Sequence, residues 1–208
     1  MLLVYGESKK GDDHIENEDS ILIDKEKKLF AVADGVSIPQ GGGIASRLFL
    51  KYLPICLRDS LKEAFKCANK KILEERKKLM IGYTTCTSIW IKNKEAEIAN
   101  VGDSPAFLIR DGKITLLNEI DRSFDGSLLQ AIGDTNIIVH SKLIELKTGD
   151  LILLMTDGIS DVLPSQKVLE IVSTCKELKK LPKMLVEAAS KAVTFYNDDK
   201  TVIVIKYE

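Results

Sequence analysis

The sequence is poor in histidine, tryptophan and cysteine. Its 208 residues contain two histidines, one tryptophan and four cysteines, and no two cysteines form a CxxC pair. A zinc site needs clustered histidine or cysteine ligands and a disulfide scaffold needs dense cysteines, so the composition argues against both. The cysteines are Cys56, Cys67, Cys86 and Cys175; three of them lie in apolar segments, which predicts inert, buried thiols. We therefore expect an intracellular, cytoplasmic protein that is kept reduced.

Long apolar runs and an excess of charge of one sign are also absent. The longest aliphatic run, Leu151 to Met155, is far shorter than the ~20 residues that span a bilayer. Residues 1–7 contain no basic region followed by an apolar stretch, as a secretory signal would. The 30 Lys+Arg against 31 Asp+Glu leave a formal charge of −1, which removes the bulk electrostatic argument for nucleic-acid binding. We expect one domain, residues 1–208, with neither nucleic acid nor a membrane among its partners.

Apolar periodicity alternates between two and 3.6 residues along the chain, which predicts a mixed α and β protein. Ser20 to Asp24 and Leu29 to Ala33 are predicted to form a first hairpin. A helix is expected after the glycines at 41–43 until Pro54, and a capping box at Ser60 and Glu63 begins a second helix. Further predicted strands are Tyr83 to Lys92, Ala96 to Val101, Ala106 to Arg110, Lys113 to Leu117, Ile137 to His140, Leu143 to Leu146, Asp150 to Thr156 and Thr201 to Ile205, and further predicted helices are Val168 to Val172 and Leu181 to Ala192. The strands from Tyr83 to Leu117 are expected to form one antiparallel meander, and the block arrangement favours the α+β class.

Two Asp-Gly pairs directly follow strands that are predicted to be buried on both faces. Asp34-Gly35 follows the second strand of the hairpin, and Asp157-Gly158 follows the run that ends at Thr156. Burying a lone carboxylate is costly, so a cation commonly offsets it, and oxygen ligands suit Mg²⁺ and Mn²⁺. Other carboxylates in comparable positions are Glu18, Asp19, Asp103, Asp161, Asp198 and Asp199. Because Asp-Gly is first of all a turn dipeptide, spacing alone supports a metal site and a set of turns equally.

Seven motifs follow one another along the chain. They are Asn17-Glu18-Asp19-Ser20, Ala33-Asp34-Gly35, Gly82-Tyr83-Thr84-Thr85, Asn100-Val101-Gly102-Asp103-Ser104, Ser127 to Gly133, Thr156-Asp157-Gly158 and Asp198 to Ile205. In this order they resemble the PP2C-type (PPM) family of metal-dependent Ser/Thr phosphatases. The resemblance covers nearly the whole chain. It implies a four-layer αββα sandwich, in which two stacked antiparallel sheets are flanked by helix pairs.

The resemblance also implies a binuclear Mn²⁺ or Mg²⁺ centre at one end of the sandwich. Asp34 would bridge the two ions, and Asp157 and Asp198 would complete the ligands of one of them. Glu18 and the carbonyl of Gly35 would hold the second ion, partly through water. Two cations about 3.5–4 Å apart lower the pKa of a shared water, so that hydroxide attacks phosphorus in line without a protein nucleophile.

Four further residues stand at positions that have a role in the family. Three of them match the family's residue, and the fourth departs from it. Asp19 matches a residue that supports the ligands without binding an ion. Asp103 and Asp161 match a third, weaker metal site of bacterial relatives. His14 stands where most members have an arginine that binds the substrate phosphate; it is the candidate phosphate-binding residue here, although imidazole lacks the two-pronged geometry of a guanidinium.

The implied activity is hydrolysis of phosphoserine and phosphothreonine in a phosphoprotein, by an enzyme expected to be a monomer. Only three residues separate Ser123 from Ser127, where the family generally inserts a mobile flap, and this predicts an open site. The substitution at position 14 and the missing flap leave an alternative, a degenerate regulatory or phosphopeptide-binding module with little or no catalysis. A phosphatase with an aspartyl nucleophile would need a second Asp two residues after Asp34, and that position holds Val36.

Overall fold

The computed structural model describes residues 1–208. The chain forms twelve strands: β1 (Leu2–Lys9), β2 (Ser20–Asp24), β3 (Leu29–Ala33), β4 (Gly35–Val36), β5 (Tyr83–Thr84), β6 (Cys86–Lys92), β7 (Glu95–Val101), β8 (Ala106–Arg110), β9 (Lys113–Leu116), β10 (His140–Glu145), β11 (Leu151–Met155) and β12 (Lys200–Tyr207). Its helices are α1 (Gly42–Cys56), α2 (Leu61–Arg76), α3 (Asp157–Ser160), α4 (Ser165–Thr174) and α5 (Leu181–Ser190), with a 3₁₀ turn at Leu178–Lys180. None of these helices combines the length and the apolar character that crossing a membrane requires.

Two five-stranded antiparallel sheets lie face to face. The first sheet has the order β1-β12-β11-β8-β9, the second has the order β10-β7-β6-β3-β2, and β4 pairs with β5. An apolar cluster that includes Phe30 and Ile203 fills the space between the sheets. Helices α1 and α2 cover the second sheet through Phe49 and Phe65, and α4 and α5 cover the first through residues such as Leu185. The predicted four-layer αββα sandwich is confirmed.

Several elements form where local sequence signals predict them. The hairpin of β2 and β3 has the predicted bounds, and all five residues of β3 are buried. The Oγ of Ser60 accepts a hydrogen bond from the N–H of Glu63 at 3.2 Å, so the capping box begins α2 as expected. Helix α1 continues past Pro54 to Cys56, because the proline lies in the last turn, where the helix is ending.

The strand predictions are wrong at three places. The expected meander is divided, because β6 and β7 belong to the second sheet whereas β8 and β9 belong to the first. The two short strands predicted between Ile137 and Leu146 are a single strand, β10. Strand β1 was not predicted, because only Val4 is buried along its eight residues and its apolar alternation is weak.

The cysteines differ from the expectation of inert free thiols. Cys56, at the end of α1, and Cys67, in α2, form a disulfide with their Cα atoms 5.8 Å apart. The short connection between the two helices brings these residues together, although eleven positions separate them. Cys86 is a buried free thiol, as predicted, and Cys175 is free and half-buried. The disulfide removes the argument for a reducing compartment that rested on free cysteines.

Candidate metal centre

Asp34, Asp157 and Asp198 converge at one end of the sandwich. Asp34 directly follows β3 in the second sheet, and Asp157 follows the fully buried β11 in the first. Asp198 comes two residues before β12, the antiparallel neighbour of β11. The three carboxylates are close enough for the charges of Asp157 and Asp198 to raise the pKa of Asp34. Both sheets therefore contribute to one acidic cluster, as the strand-end positions predict.

The backbone of Asp34 is fixed by two threonines. The N–H of Thr85 and the hydroxyl of Thr84 both donate to the carbonyl of Asp34, at 2.8 and 2.7 Å. The N–H of Asp34 in turn donates to the hydroxyl of Thr85 at 3.3 Å. The Gly82-Tyr83-Thr84-Thr85 motif therefore positions the first carboxylate of the cluster.

Asp19 and Asp157 each have one buried carboxylate oxygen without a hydrogen-bond partner. The hydroxyl of Thr156 donates to Oδ2 of Asp19 at 2.9 Å and accepts the N–H of Thr201 at 3.0 Å. The other oxygen of Asp19, Oδ1, is buried without a hydrogen-bond partner, and so is Oδ1 of Asp157. Buried polar atoms are nearly always paired, so two unpaired carboxylate oxygens indicate a place for a cation.

Burial and mutual repulsion make ionisation of the cluster unfavourable. Burial, followed by the charges of Asp157 and Asp19, raises the pKa of Asp34 well above its ordinary value. Burial is also the main cause that raises the pKa of Asp19, Asp157 and Asp198. A divalent cation would offset both effects, because it favours the ionised carboxylates.

Glu18 and Gly35 lie together beside the first turn of α1. The carboxylate of Glu18 accepts hydrogen bonds from Ser37 Oγ at 2.5 Å and from the N–H of Gly43 at 3.3 Å. The helix N-terminus favours this negative charge. A Cβ on Gly35 would lie 2.4 Å from the carbonyl carbon of Gly42 and 2.7 Å from the carbonyl oxygen of Glu18, so only glycine fits.

His14 is held inside the segment that leads to Glu18. Its Nδ1 lies 2.8 Å from Oδ2 of Asp199, a carboxylate that also accepts two backbone N–H groups of the same segment. Its Nε2 faces the hydroxyl of Tyr196 and lies 3.4 Å from Oδ1 of Asp198. The side chain is only 8% exposed. His14 thus lies at the cluster with both nitrogens engaged, and phosphate binding by it stays a prediction.

Asp103 and Asp161 lie at the side of the cluster, where both face Arg122. Gly102, at φ +101°, makes the sharp turn that brings Asp103 to this side. Arg122 pairs with Asp103, Asp157 and Asp161 at 2.7–2.8 Å. Although burial opposes the charged form, these carboxylates raise the pKa of the guanidinium above its ordinary value.

The predicted short connection after Arg122 is a tight turn. The N–H of Gly126 donates to the carbonyl of Ser123 at 3.0 Å, and that of Ser127 donates to the carboxylate of Asp125 at 3.1 Å. Phe124 at the tip is fully exposed. The connection is thus as short as the sequence indicates, and an open site stays a prediction.

Sequence reasoning missed Arg122, Thr156 and Tyr196 as parts of the site, and it noted Asp199 as a carboxylate without predicting that it anchors the segment of His14. Thr156 and Asp199 stand next to predicted ligands within the quoted motifs, and this adjacency is the signal that could have identified them. Arg122 and Tyr196 lie in loops without a pattern, so only the fold brings them to the carboxylates.

The donor set fits hard divalent cations. All of its predicted ligand atoms are oxygens, from carboxylates and one backbone carbonyl, which suits Mg²⁺ or Mn²⁺ better than zinc. The unpaired Oδ1 atoms of Asp19 and Asp157 and the raised pKa values give the same indication. We conclude that the residues present fit the metal centre that the resemblance implies.

The four-layer sandwich and its acidic cluster define a class of metal-binding α+β proteins, and comparison with known proteins identifies the family. A family model described as Protein phosphatase 2C matches residues 9–186. The serine/threonine phosphatase stp of Listeria innocua is 21% identical over 92% of this chain and 89% of that protein. The crystal structure of the Mycobacterium tuberculosis serine/threonine phosphatase PstP/Ppp superposes with a TM-score of 0.89 at 24% identity, covering 100% of this chain and 99% of that chain. The chain belongs to the protein phosphatase 2C family.

Proposed function

We propose that this chain hydrolyses phosphoserine and phosphothreonine in proteins, with Mn²⁺ or Mg²⁺ held at the acidic cluster. The observation that carries the proposal is the convergence of Asp34, Asp157 and Asp198 from two sheets, beside two unpaired buried carboxylate oxygens. Family membership makes the chain a metal-dependent phosphoprotein phosphatase, and residues 1–208 are proposed to form one catalytic domain.

Named relatives support the substrate class and the metal. Relatives from Listeria and Mycobacterium are serine/threonine phosphatases, and a structure of the PstP catalytic domain, at 24% identity and a TM-score of 0.87, contains two manganese ions. We carry both properties over to this chain. The carry-over of Asp198 depends on its position in the fold and on the resemblance, because the family match ends at residue 186.

The chain's own residues would hold and orient the reactants. Asp34, Asp157, Asp198, Glu18 and the carbonyl of Gly35 are the proposed metal ligands, with Asp19 holding its place through Thr156. Two divalent cations bound there would lower the pKa of a water molecule and neutralise phosphoryl oxygens. No cysteine or serine nucleophile is needed, because the carboxylates position the groups for an in-line displacement.

The residues that flank a phosphorylated side chain would lie in a groove next to the cluster. This groove encloses about 580 Å³ and shares Glu18, His14 and Tyr196 with the centre. The connection after Arg122 is a tight turn, and a site without a flap there would suit a protein surface better than a small metabolite. No observation favours the degenerate alternative over catalysis.

Phosphate release from a phosphopeptide tests the proposal. The purified chain should release phosphate from a phosphothreonine peptide when Mn²⁺ or Mg²⁺ is added, and not in the presence of EDTA. Asp157→Asn should lower kcat by at least about 100-fold, as loss of one electrostatic group in an active site commonly does. Asp111→Asn is the matched control, because Asp111 also precedes a glycine but lies in an exposed turn. A wild-type protein that binds Mn²⁺ without releasing phosphate would contradict the proposal and favour the binding module.

We further propose that the enzyme acts as a monomer, in the cytoplasm, on proteins rather than on nucleic acids or membranes. The near-neutral charge of −1 supports the choice of partner. Sedimentation velocity would test the oligomeric state, and a concentration-independent mass near 23.1 kDa is expected.

A further inference from the structure

All three guanidinium nitrogens of Arg122 donate hydrogen bonds to carboxylates of the metal centre. Its Nε donates to Oδ2 of Asp103 at 2.8 Å, its NH1 donates to Oδ2 of Asp161 at 2.7 Å, and its NH2 donates to Oδ2 of Asp157 at 2.8 Å. The side chain is 24% exposed and Asp103 is 7% exposed. These are charge-assisted bonds, which are roughly twice as strong as hydrogen bonds between neutral groups.

The backbone holds Arg122 in this position from both sides. Arg122 forms a β-bridge with Leu128, and the N–H of Ser123 donates to the carbonyl of Ser127 at 2.9 Å. The preceding residue, Asp121, accepts the N–H of Gly102 on its carboxylate at 2.8 Å. The arginine is thereby fixed relative to the turn that carries Asp103, and the short connection leaves it little freedom.

The two oxygens of Asp157 are divided between the guanidinium and the rest of the cluster. Oδ2 accepts the bond from Arg122, whereas Oδ1 is buried without a partner. Arg122 therefore engages one oxygen of Asp157 together with Asp103 and Asp161, and leaves the other oxygen available to an ion. The carboxylates on the side of Asp103 and Asp161 already have a guanidinium between them. On the other side no basic side chain pairs with the carboxylate of Asp34, and Asp198 faces His14 at 3.4 Å.

We propose that Arg122 is a built-in cation of the centre, which fills the space between Asp103, Asp157 and Asp161 and keeps a divalent ion out of it. The inference rests on the metal centre of the proposed function and departs from the third ion that the sequence resemblance implies. A covalently attached guanidinium is always charged and does not dissociate, so it occupies this place and offsets part of the negative charge of the three carboxylates at any metal concentration. The chain would bind ions only on the side of Asp34 and Asp198.

Counting bound ions tests this role directly. Wild type, Arg122→Ala, Arg122→Gln and Arg110→Ala would be loaded with Mn²⁺, and the bound ions counted by native mass spectrometry and isothermal titration calorimetry. The criterion is the difference from wild type, so it holds however many ions the wild type binds. Arg122→Ala should bind one ion more than wild type. Arg122→Gln should also bind one ion more than wild type. If circular dichroism shows that Arg122→Ala is unfolded, the comparison with wild type uses Arg122→Gln only.

Arg110→Ala is the matched control. Arg110 also forms a two-pronged pair with a buried carboxylate, that of Asp150, at 2.7 and 2.6 Å, and is 28% exposed, but it lies outside the cluster. It should bind the same number of ions as wild type. In the double variant Arg122→Ala with Asp161→Asn, the extra ion should be lost, which locates it beside Asp161.

An unchanged ion count in folded Arg122→Ala or Arg122→Gln would overturn the proposal, since the guanidinium would then exclude nothing. An extra ion that persists in the double variant would also overturn it, because the ion would lie elsewhere. A wild-type protein that binds metal but releases no phosphate would refute the proposed function. The role of Arg122 would still be tested, because the ion count does not depend on phosphate release.

Discussion

Replacing Asp34 with asparagine should stabilise the metal-free protein and remove the stabilisation that Mn²⁺ provides. Asparagine has nearly the same shape as aspartate but carries no charge, so the change isolates the electrostatic contribution of the carboxylate. The two effects have opposite signs, which a merely disruptive mutation would not produce.

The gain without metal comes from repulsion between the half-buried carboxylate of Asp34 and its neighbouring carboxylates. Burial, and then the charges of Asp157 and Asp19, raises the pKa of Asp34. Two unit charges 4 Å apart repel by about 4 kcal/mol at an effective dielectric constant of about 20, so the free energy of unfolding should rise by on the order of 1–4 kcal/mol at neutral pH. For a chain of 208 residues, each kcal/mol shifts the melting temperature by about 2–4 °C.

The pH dependence of this gain has a defined sign. In the folded state Asp34 keeps its proton to a higher pH than in the unfolded chain, where the carboxyl titrates near 3.8. Folding therefore loses stability as the pH rises from the unfolded pKa through the folded pKa. The difference between Asp34→Asn and wild type should be near zero below pH 3.8 and largest above the raised pKa of the folded state.

When Mn²⁺ is bound, wild type should become more stable than Asp34→Asn, the reverse of their order without metal. An ion at 100 times its Kd adds about 2.7 kcal/mol to the free energy of unfolding, or roughly 5–11 °C in melting temperature. Wild type should show this rise when Mn²⁺ replaces EDTA, and Asp34→Asn should show little of it. The assay is thermal unfolding followed by circular dichroism, with Mn²⁺ and with EDTA.

Asp111→Asn serves as the control, since Asp111 is exposed in the turn between β8 and β9. It should behave as wild type under both conditions. A full Mn²⁺-induced rise in Asp34→Asn would mean that Asp34 is not a ligand. A metal-free variant that melts below wild type would mean that repulsion is not the dominant effect at this position.

Three further substitutions test the supports of the cluster. Thr156→Val removes the hydroxyl that bonds to Asp19 at 2.9 Å, and should lower the free energy of unfolding by about 1–3 kcal/mol in urea. Gly158→Ala would place a Cβ 1.9 Å from the carbonyl oxygen of Asp199, and should cost about 1–3 kcal/mol or more, measured by thermal melting. Asp199→Asn weakens the anchor of His14 and its segment, and should cost about 1.5–3 kcal/mol and increase hydrogen exchange at residues 11–18.

Each of these has an outcome that contradicts it. Thr115→Val, at an exposed position of β9, measures how much free energy of unfolding is lost when a threonine hydroxyl is removed elsewhere. An equal loss at Thr156 would mean that its hydrogen bond to Asp19 contributes nothing particular to stability. A Gly158→Ala variant as stable as wild type would mean that the backbone moves aside easily. Unchanged hydrogen exchange in Asp199→Asn would mean that other contacts hold the segment.

The sequence predicts the parts of this site that follow from local pattern. Buried strands read as continuous apolar runs, so Asp34 and Asp157 stand out as the carboxylates that follow them. Arg122 could not be predicted, because its partners lie 19, 35 and 39 positions away and meet it only in the folded chain. Strand β1 could not be predicted for a related reason. It is an edge strand, and it is a strand because it pairs with β12, not because its own sequence has a clear periodicity.

The position of β12 sets the order in which the molecule can be completed during synthesis. Strand β12 lies between β1 and β11 in the first sheet, and β1 pairs with no other strand. Strand β1 must therefore wait, unpaired, until residues 200–207 have been made, which takes roughly 10–40 s at about 5–20 residues per second.

Strands β2, β3, β6 and β7 of the second sheet are available much earlier, so Asp34 is in place long before Asp198 exists. A nascent chain of 190 residues should accordingly contain Asp34 and Asp157 but not Asp198, and its strand β1 should still be unpaired. The enzyme would then acquire its metal ions only after the last strand is inserted, and until that moment the exposed β1 is the segment most in need of protection from other chains.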